Sequence, residues 1–316
     1  MLQWLDQTFN WIAVNNAISF PGLGIELNPP LGFTIGSLNV RFYGMIIALG
    51  LMLAVCYGLK RSAQFGLKQD DILDGVLGIV PVSIIFARLY YCVFAWHEFS
   101  ADPISVLYIW KGGIAIYGAV IGATLGVVVF CLIKKVKLGA VLDLVALGFL
   151  IGQCVGRWGN FFNREAYGAV TDTFLRMEIY GLEAGKRVCY HPTFLYESLW
   201  NLAGFIGLHF LSKKRQYDGQ IALGYAAWYG LGRTFIEGLR TDSLYWGSMR
   251  VSQVLAAVTC FAAVAVLLVL NMREHNKEKL FVNVVAARAA EEAAAQAEEI
   301  EEEAQEDETT YKEVEI

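Results

Sequence analysis

The polar residues that can do chemistry gather in a few short segments set among apolar runs. The densest is Gly156-Arg157-Trp158-Gly159-Asn160-Phe161-Phe162-Asn163-Arg164-Glu165-Ala166-Tyr167-Gly168. Helical spacing puts Gln153, Arg157 and Asn160 on one face. A guanidinium beside carboxamides suits a phosphate, which arginine grips with two parallel hydrogen bonds. The glycines let a backbone or a lipid headgroup come close. Snorkelling at a helix end would account for Arg157 alone; Asn160, Asn163 and Glu165 beside it point to a site.

A second group is Arg233, Glu237 and Arg240, whose i, i+4 and i+3 spacings share one helical face. Charges inside an apolar helix are costly and are paired, functional or both. A third segment, His191-Pro192-Thr193-Phe194-Leu195-Tyr196-Glu197, opens an apolar run with a proline at its start. It places His191 at the membrane interface and Glu197 inside. Arg41-Phe42-Tyr43-Gly44 opens another run, and Gly112-Gly113-Ile114-Ala115-Ile116-Tyr117-Gly118 a third. Interfacial tyrosines such as Tyr43 and Tyr117 ordinarily form a belt at headgroup depth. Arg88 lies within a long apolar run, about two turns from its end.

The elements that must carry these groups are membrane helices. The chain has 316 residues, 56% hydrophobic and 17% charged, with a mean hydropathy of +0.46. A soluble domain of this length carries more charge. A helix needs about 20 apolar residues to cross the hydrocarbon core. The candidate spans are 40–59, 72–95, 113–133, 139–155, 193–211, the shorter 221–236, and 250–271. The fold expected is an all-α, polytopic bundle of about seven transmembrane helices.

Basic clusters follow alternate spans: Lys60, Arg61 and Lys68; Lys134, Lys135 and Lys137; Lys213, Lys214 and Arg215; Arg273, Lys277 and Lys279. They mark the cytoplasmic side, so the N-terminus is expected outside and the C-terminus inside. The outer loop 156–191 breaks the rule with Arg157, Arg164, Arg176, Lys186 and Arg187, and a local reason is needed. Residues 1–39, rich in Gly, Pro and aromatics, read as an outer interfacial arm rather than a cleaved signal peptide. Residues 40–272 are then the transmembrane catalytic domain, and 280–316 an acidic cytoplasmic tail. That tail concentrates the acids behind the net charge of -5.

The six cysteines, Cys56, Cys92, Cys131, Cys154, Cys189 and Cys260, are scattered without a C-x-x-C pair. Neither a disulfide framework nor a metal site is indicated. All the polar segments fall at outer helix ends. A transporter would keep its site near the midplane between repeated halves. The pattern favours an enzyme or a receptor that meets its ligand at the outer leaflet.

The run Gly156–Gly168 resembles the signature of prolipoprotein diacylglyceryl transferases. So do His191-Pro192 with Leu195-Tyr196-Glu197, Arg233 with Glu237 and Arg240, and Arg41-Phe42-Tyr43-Gly44. The resemblance covers about residues 20–272. It implies that a diacylglyceryl group passes from phosphatidylglycerol to the lipobox cysteine of a preprolipoprotein signal peptide. A thioether forms and glycerol phosphate leaves. It implies a multi-pass protein of the bacterial plasma membrane, in contact with membrane lipids. No cofactor, metal or nucleic-acid partner is expected.

The resemblance carries over Tyr43, Arg157, Asn160, Glu165, Gly168, Arg233, Glu237 and Arg240. Tyr117 stands where some members have a histidine, and a tyrosine of pKa about 10 is no base near pH 7. Phe194 stands where many members have glutamine. The chemistry fits Arg157 and Arg233 on the phosphate, Glu237 orienting Arg233, and Asn160 on headgroup hydroxyls. Glu165 and His191 are the candidate bases, and Arg88, Tyr117 and Asn163 join the binding set. The competing reading is a non-catalytic receptor for anionic lipid or peptide. A phospholipid hydrolase lacks its G-x-S-x-G serine motif here.

Overall fold

A computed structural model describes residues 10–12, 17–36, 38–180, 188–241, 245–247 and 249–314. Its long helices are α1 (Phe42–Arg61), α2 (Gln69–Phe94), α3 (Ile116–Lys134), α4 (Leu138–Asn163), α5 (Thr193–Ser212), α6 (Gln220–Leu239), α7 (Val251–Asn271) and α8 (Phe281–Val314). Five of them, α1 to α4 and α7, are long and apolar enough to cross a bilayer. The chain is therefore a multi-pass membrane protein built on an all-α bundle. Helices α5 and α6 fall outside that set; they carry much of the polar chemistry described below.

Helix α4 lies at the centre, packed on α1, α5 and α6, while α2 pairs with α3 and α7 with α6. It is longer than its apolar run 139–155 suggests. Trp158, Phe161 and Phe162 continue the packing surface past Arg157. The helix stops only where Arg164 turns left-handed at φ 55°. The first eight residues of the glycine-bounded segment are thus its last two turns.

Short strands sit beyond the helix ends. The N-terminal arm contributes β1 (Asn10–Trp11), β2 (Ile18–Phe20), β3 (Ile25–Leu27), β4 (Gly32–Ile35) and β5 (Leu38–Arg41). The loop between α4 and α5 contributes β6 (Met177–Ile179) and β7 (Cys189–Tyr190). Strands β3-β2-β6-β7 form one sheet, so arm and loop are stitched together. Ile18, Phe20, Met177 and Ile179 pack beneath it against Phe161 and Phe194.

The main core fills the opposite end, with Phe65, Leu67, Leu144, Leu147, Leu208 and Ile221. The acidic tail forms the helix α8, and its first turn is docked. Phe281 belongs to that core, and its backbone N–H donates to Asp218 Oδ2 at 2.9 Å.

Two devices fix α6. Its N-cap is Gly219, which has no side chain to satisfy the first amides. Asp143 of α4, fully buried, takes the role. Its carboxylate accepts the backbone N–H groups of Gly219, Ile221 and Ala222, each at 2.9 Å. Further along, Trp200 of α5 and Trp228 of α6 stack at 4.3 Å. Each indole N–H donates to the other's backbone carbonyl, at 3.0 and 2.9 Å. Gly232 and Gly204 leave room for the rings; a Cβ at either would meet an indole nitrogen within 2.3 Å.

Asp143→Ala leaves three amides of α6 without a partner and is expected to cost about 1–2 kcal/mol, the usual worth of a lost cap. Thermal unfolding in detergent checks this. Asp143→Asn, which keeps an acceptor, should recover much of the loss, and an unchanged midpoint for the alanine variant would contradict the capping role.

Candidate active site

The polar helix ends meet around one carboxylate. Glu197, in the second turn of α5, is 4% exposed. Its Oε2 lies 2.5 Å from Arg157 Nη2 of α4. Its Oε1 lies 3.1 Å from Arg233 Nη1 of α6 and 3.4 Å from Arg240 Nη1 at the end of that helix. Arg233 Nη2 also pairs with Glu237, one turn on. Three guanidinium groups therefore face two carboxylates, an excess of one positive charge. Glu197 and Glu237 have side chains 4% and 2% exposed, whereas Arg157, Arg233 and Arg240 reach 21%, 17% and 11%. The accessible face of the cluster is cationic. An anion reaching it meets planar donors already held in place.

Arg157 opens onto a cavity of about 560 Å³ running between α1 and α4 toward α2. Tyr43, Gln153, Arg157 and Asn160 form its polar end; Leu51, Val55, Leu144 and Phe149 are typical of the apolar remainder. Tyr43 lies flat on α4 because residue 159 is glycine: a Cβ there would come within 2.8 Å of the ring. Gln153 donates to the Tyr225 hydroxyl at 2.9 Å, which ties the groove wall to α6.

The rest of the segment shapes the turn beyond α4. Asn160 donates from Nδ2 to Glu165 Oε1 at 2.9 Å, bringing the exposed Glu165 back over the rim. Arg164 is buried and turned away. It donates to the carbonyls of Phe162 and Pro29 at 2.8 and 2.7 Å, strapping the N-terminal arm to α4. Asn163 is half-buried, and its carboxamide oxygen has no hydrogen-bond partner among the described residues. Gly168 bridges Arg240, and a Cβ there would strike His191 at 2.8 Å and the Leu239 carbonyl at 2.9 Å. Its place is thus set by packing against the end of α6.

His191 stands in the same junction. Its backbone bonds Gly168 and Ala169, and its Nδ1 lies 3.3 Å from the Tyr196 hydroxyl. Burial pushes its pKa below the usual histidine value, so the ring is neutral at pH 7. The Thr193 hydroxyl donates to the Ala166 carbonyl, which closes the link between α5 and the turn.

Two expected members lie elsewhere. Arg88 does not join the arginine cluster. Its guanidinium donates to the carbonyls of Ser105, Val106, Gly112 and Gly113 at 2.7–2.9 Å and stacks on Phe99, so it organises the loop between α2 and α3. Four backbone acceptors outcompete a distant ligand for that group. Tyr117 faces Tyr90 at 6.4 Å, and the neighbouring Ile116 lines the groove instead. Glu197 is the reverse case. Its position inside an apolar helix was visible in the sequence, but its three partners come from α4 and α6, and no sequence spacing links them.

Comparison with known proteins gives the family. The family described as prolipoprotein diacylglyceryl transferase matches residues 30–269. A protein of Listeria monocytogenes named phosphatidylglycerol–prolipoprotein diacylglyceryl transferase is 40% identical over 264 residues, covering 80% of this chain and 93% of its own. Proteins of the same name from Lysinibacillus sphaericus and Limosilactobacillus reuteri are 43% and 38% identical, over 74% and 83% of this chain and 89% and 97% of theirs. The matched region contains every helix that meets at Glu197, and the chain belongs to the prolipoprotein diacylglyceryl transferase family.

Proposed function

We propose that this chain transfers the diacylglyceryl group of phosphatidylglycerol to the cysteine thiol of a preprolipoprotein signal peptide, the reaction in its relatives' name. One observation carries the reading: a largely apolar groove ends at Arg157, one of a preorganised cluster of arginines. A phospholipid fits such a site with its chains along α1 and α4 and its phosphate at Arg157. A receptor would use the same basic face, but the paired carboxylates that hold the donors rigid suit a reaction in which charge develops.

The step is a displacement at the saturated glycerol carbon that bears the phosphate. The thiolate sulfur forms the new C–S bond as the C–O bond breaks, and the electron pair leaves with glycerol phosphate. A free thiol has pKa about 8.5, and nearby guanidinium charge favours its ionised form. Arg157 and Arg233 hold the leaving phosphate. Glu197 and Glu237 orient them, and Arg240 completes the positive face. Asn160 and Tyr43 meet the headgroup at the rim. Glu165, exposed and tied to Asn160, is the better placed of the two candidate bases, because Tyr196 and the Gly168 junction hold His191. Bringing lipid and peptide into one place supplies the remaining advantage.

The alternating basic clusters support seven spans, with α5 and α6 included, the N-terminus outside and the C-terminus inside the plasma membrane. Two arginines of the 156–191 loop acquire a local reason, since Arg157 belongs to the site and Arg164 to the strap; Lys186 and Arg187 lie outside the described residues.

The direct test uses purified protein, phosphatidylglycerol vesicles and a lipobox peptide, read by peptide mass. Wild-type protein should add one diacylglyceryl group. Arg157→Lys keeps the charge but not the bidentate grip; losing about 1.5–3 kcal/mol of charged hydrogen bonding should slow turnover roughly tenfold to a hundredfold. Turnover near wild type would remove Arg157 from the phosphate. Glu197→Gln leaves three guanidinium groups facing a neutral amide. Breaking a buried pair costs about 3–5 kcal/mol, so folded yield and activity should fall together. Normal yield with normal activity would show that Glu197 does not organise the cluster. Reporter fusions near Arg61, Lys135, Arg215 and His275 should all report a cytoplasmic location, and one external signal would break the topology.

A further inference from the structure

The groove is deeper than one leaflet, and one of its walls is bare. By helical rise, the α4 wall runs about 24 Å from Arg157 to Val141, whereas half a hydrocarbon core is about 15 Å. Gly152 and Gly148 lie on this wall, about 7 and 13 Å below Arg157. A Cβ at Gly152 would meet no atom within 4 Å, so it would project into the open groove. A Cβ at Gly148 would make only ordinary contact with Ala54 at 3.6 Å. Gly159 under Tyr43 and Gly204 and Gly232 under the tryptophans have evident packing reasons; a Cβ at Gly44, Gly78 or Gly207 would also meet no atom within 4 Å, but those three do not line the groove. Gly152 and Gly148 have no such neighbour. Glycine in a helix interior costs about 0.5–1 kcal/mol relative to alanine. Here nothing in the protein uses the space gained.

We propose that Gly152 and Gly148 determine acyl-chain selectivity: their missing side chains keep the groove open to full-length chains of the lipid donor. The inference rests on the proposed function, since it assigns the groove to the donor's hydrocarbon. A side chain at Gly152 blocks a chain after a few methylenes. One at Gly148 blocks it near the bilayer midplane. Selectivity is therefore ordered by depth along α4, and a general packing defect has no reason to follow that order.

The test is competition. Wild-type, Gly152→Leu and Gly148→Leu proteins are each supplied with mixed vesicles containing equal didecanoyl, dimyristoyl and dioleoyl phosphatidylglycerol. The mass of the modified peptide identifies the donor used, and product ratios within each reaction are independent of folded yield. Wild type should use all three. Gly152→Leu should lower the dioleoyl-to-didecanoyl ratio about tenfold, the scale on which pockets discriminate by hydrocarbon bulk, and should lower the dimyristoyl-to-didecanoyl ratio as well. Gly148→Leu should lower the dioleoyl-to-didecanoyl ratio in the same direction but by less than Gly152→Leu does. Wild-type ratios in both variants, or a stronger shift for Gly148→Leu than for Gly152→Leu, would overturn the assignment. If Gly152→Leu gives no product, the Gly148→Leu ratio alone decides. Wild-type protein that transfers nothing from any donor would overturn the proposed function itself, and the assignment with it.

Discussion

Everything at this site depends on one buried carboxylate shared by three arginines. Glu197 holds Arg157, Arg233 and Arg240 from two other helices on two oxygens. Charges removed from water need close compensation, or the helices that bear them do not pack. Here compensation is deliberately incomplete: Glu237 adds a second negative charge on Arg233, and one positive charge is left over. The surplus sits on the more accessible partners. In the proposed reaction a phosphate completes the balance while it is bound, and the arginines make it a better leaving group by stabilising the charge it gains. Arginine suits this task better than lysine because its fork can bond a carboxylate and still offer donors to a ligand.

The surrounding fold holds the three helices in register. Asp143 supplies the cap that Gly219 lacks, so α6 is anchored at the end far from the site. The reciprocal Trp200–Trp228 pair holds α5 against α6 about a turn from Glu197. Gly168 lets the turn after α4 lie on the end of α6, and Arg164 binds that turn to the N-terminal arm. These contacts lie away from the groove, whose walls can stay apolar and open. The polar end of the groove and its apolar length are thereby separated in space.

Much of this was legible in the sequence. Hydropathy marks the helices that cross the membrane, because apolar runs of that length have no other use. The helical spacing of Arg233 and Glu237 foretells their pairing, since neighbours at i and i+4 meet on one face. Other features were hidden for physical reasons. The extent of α4 exceeds its apolar run because a helix inside a protein cavity does not need lipid-facing residues. Arg88 looked like a site residue because an embedded arginine is costly; its partners are loop carbonyls, which every sequence has and no sequence pattern reveals. The docking of Phe281 was hidden because one apolar turn at the start of an acidic helix carries little periodic signal. Tyr117 stood at a suggestive helix start, yet the neighbouring Ile116 faces the groove.

The central claim is that the Glu197-held arginines contact the donor's phosphate directly. Solid-state NMR can measure it. Protein with isotope-labelled arginine is reconstituted in phosphatidylglycerol, and dipolar coupling between guanidinium carbon and lipid phosphorus is compared with that of an Arg157→Lys sample. A bidentate grip puts those nuclei about 4 Å apart. The account predicts a strong coupling at that distance, reduced in the lysine variant to the contribution of Arg233. The same coupling in both samples, or none in the wild-type protein with lipid bound, would contradict it.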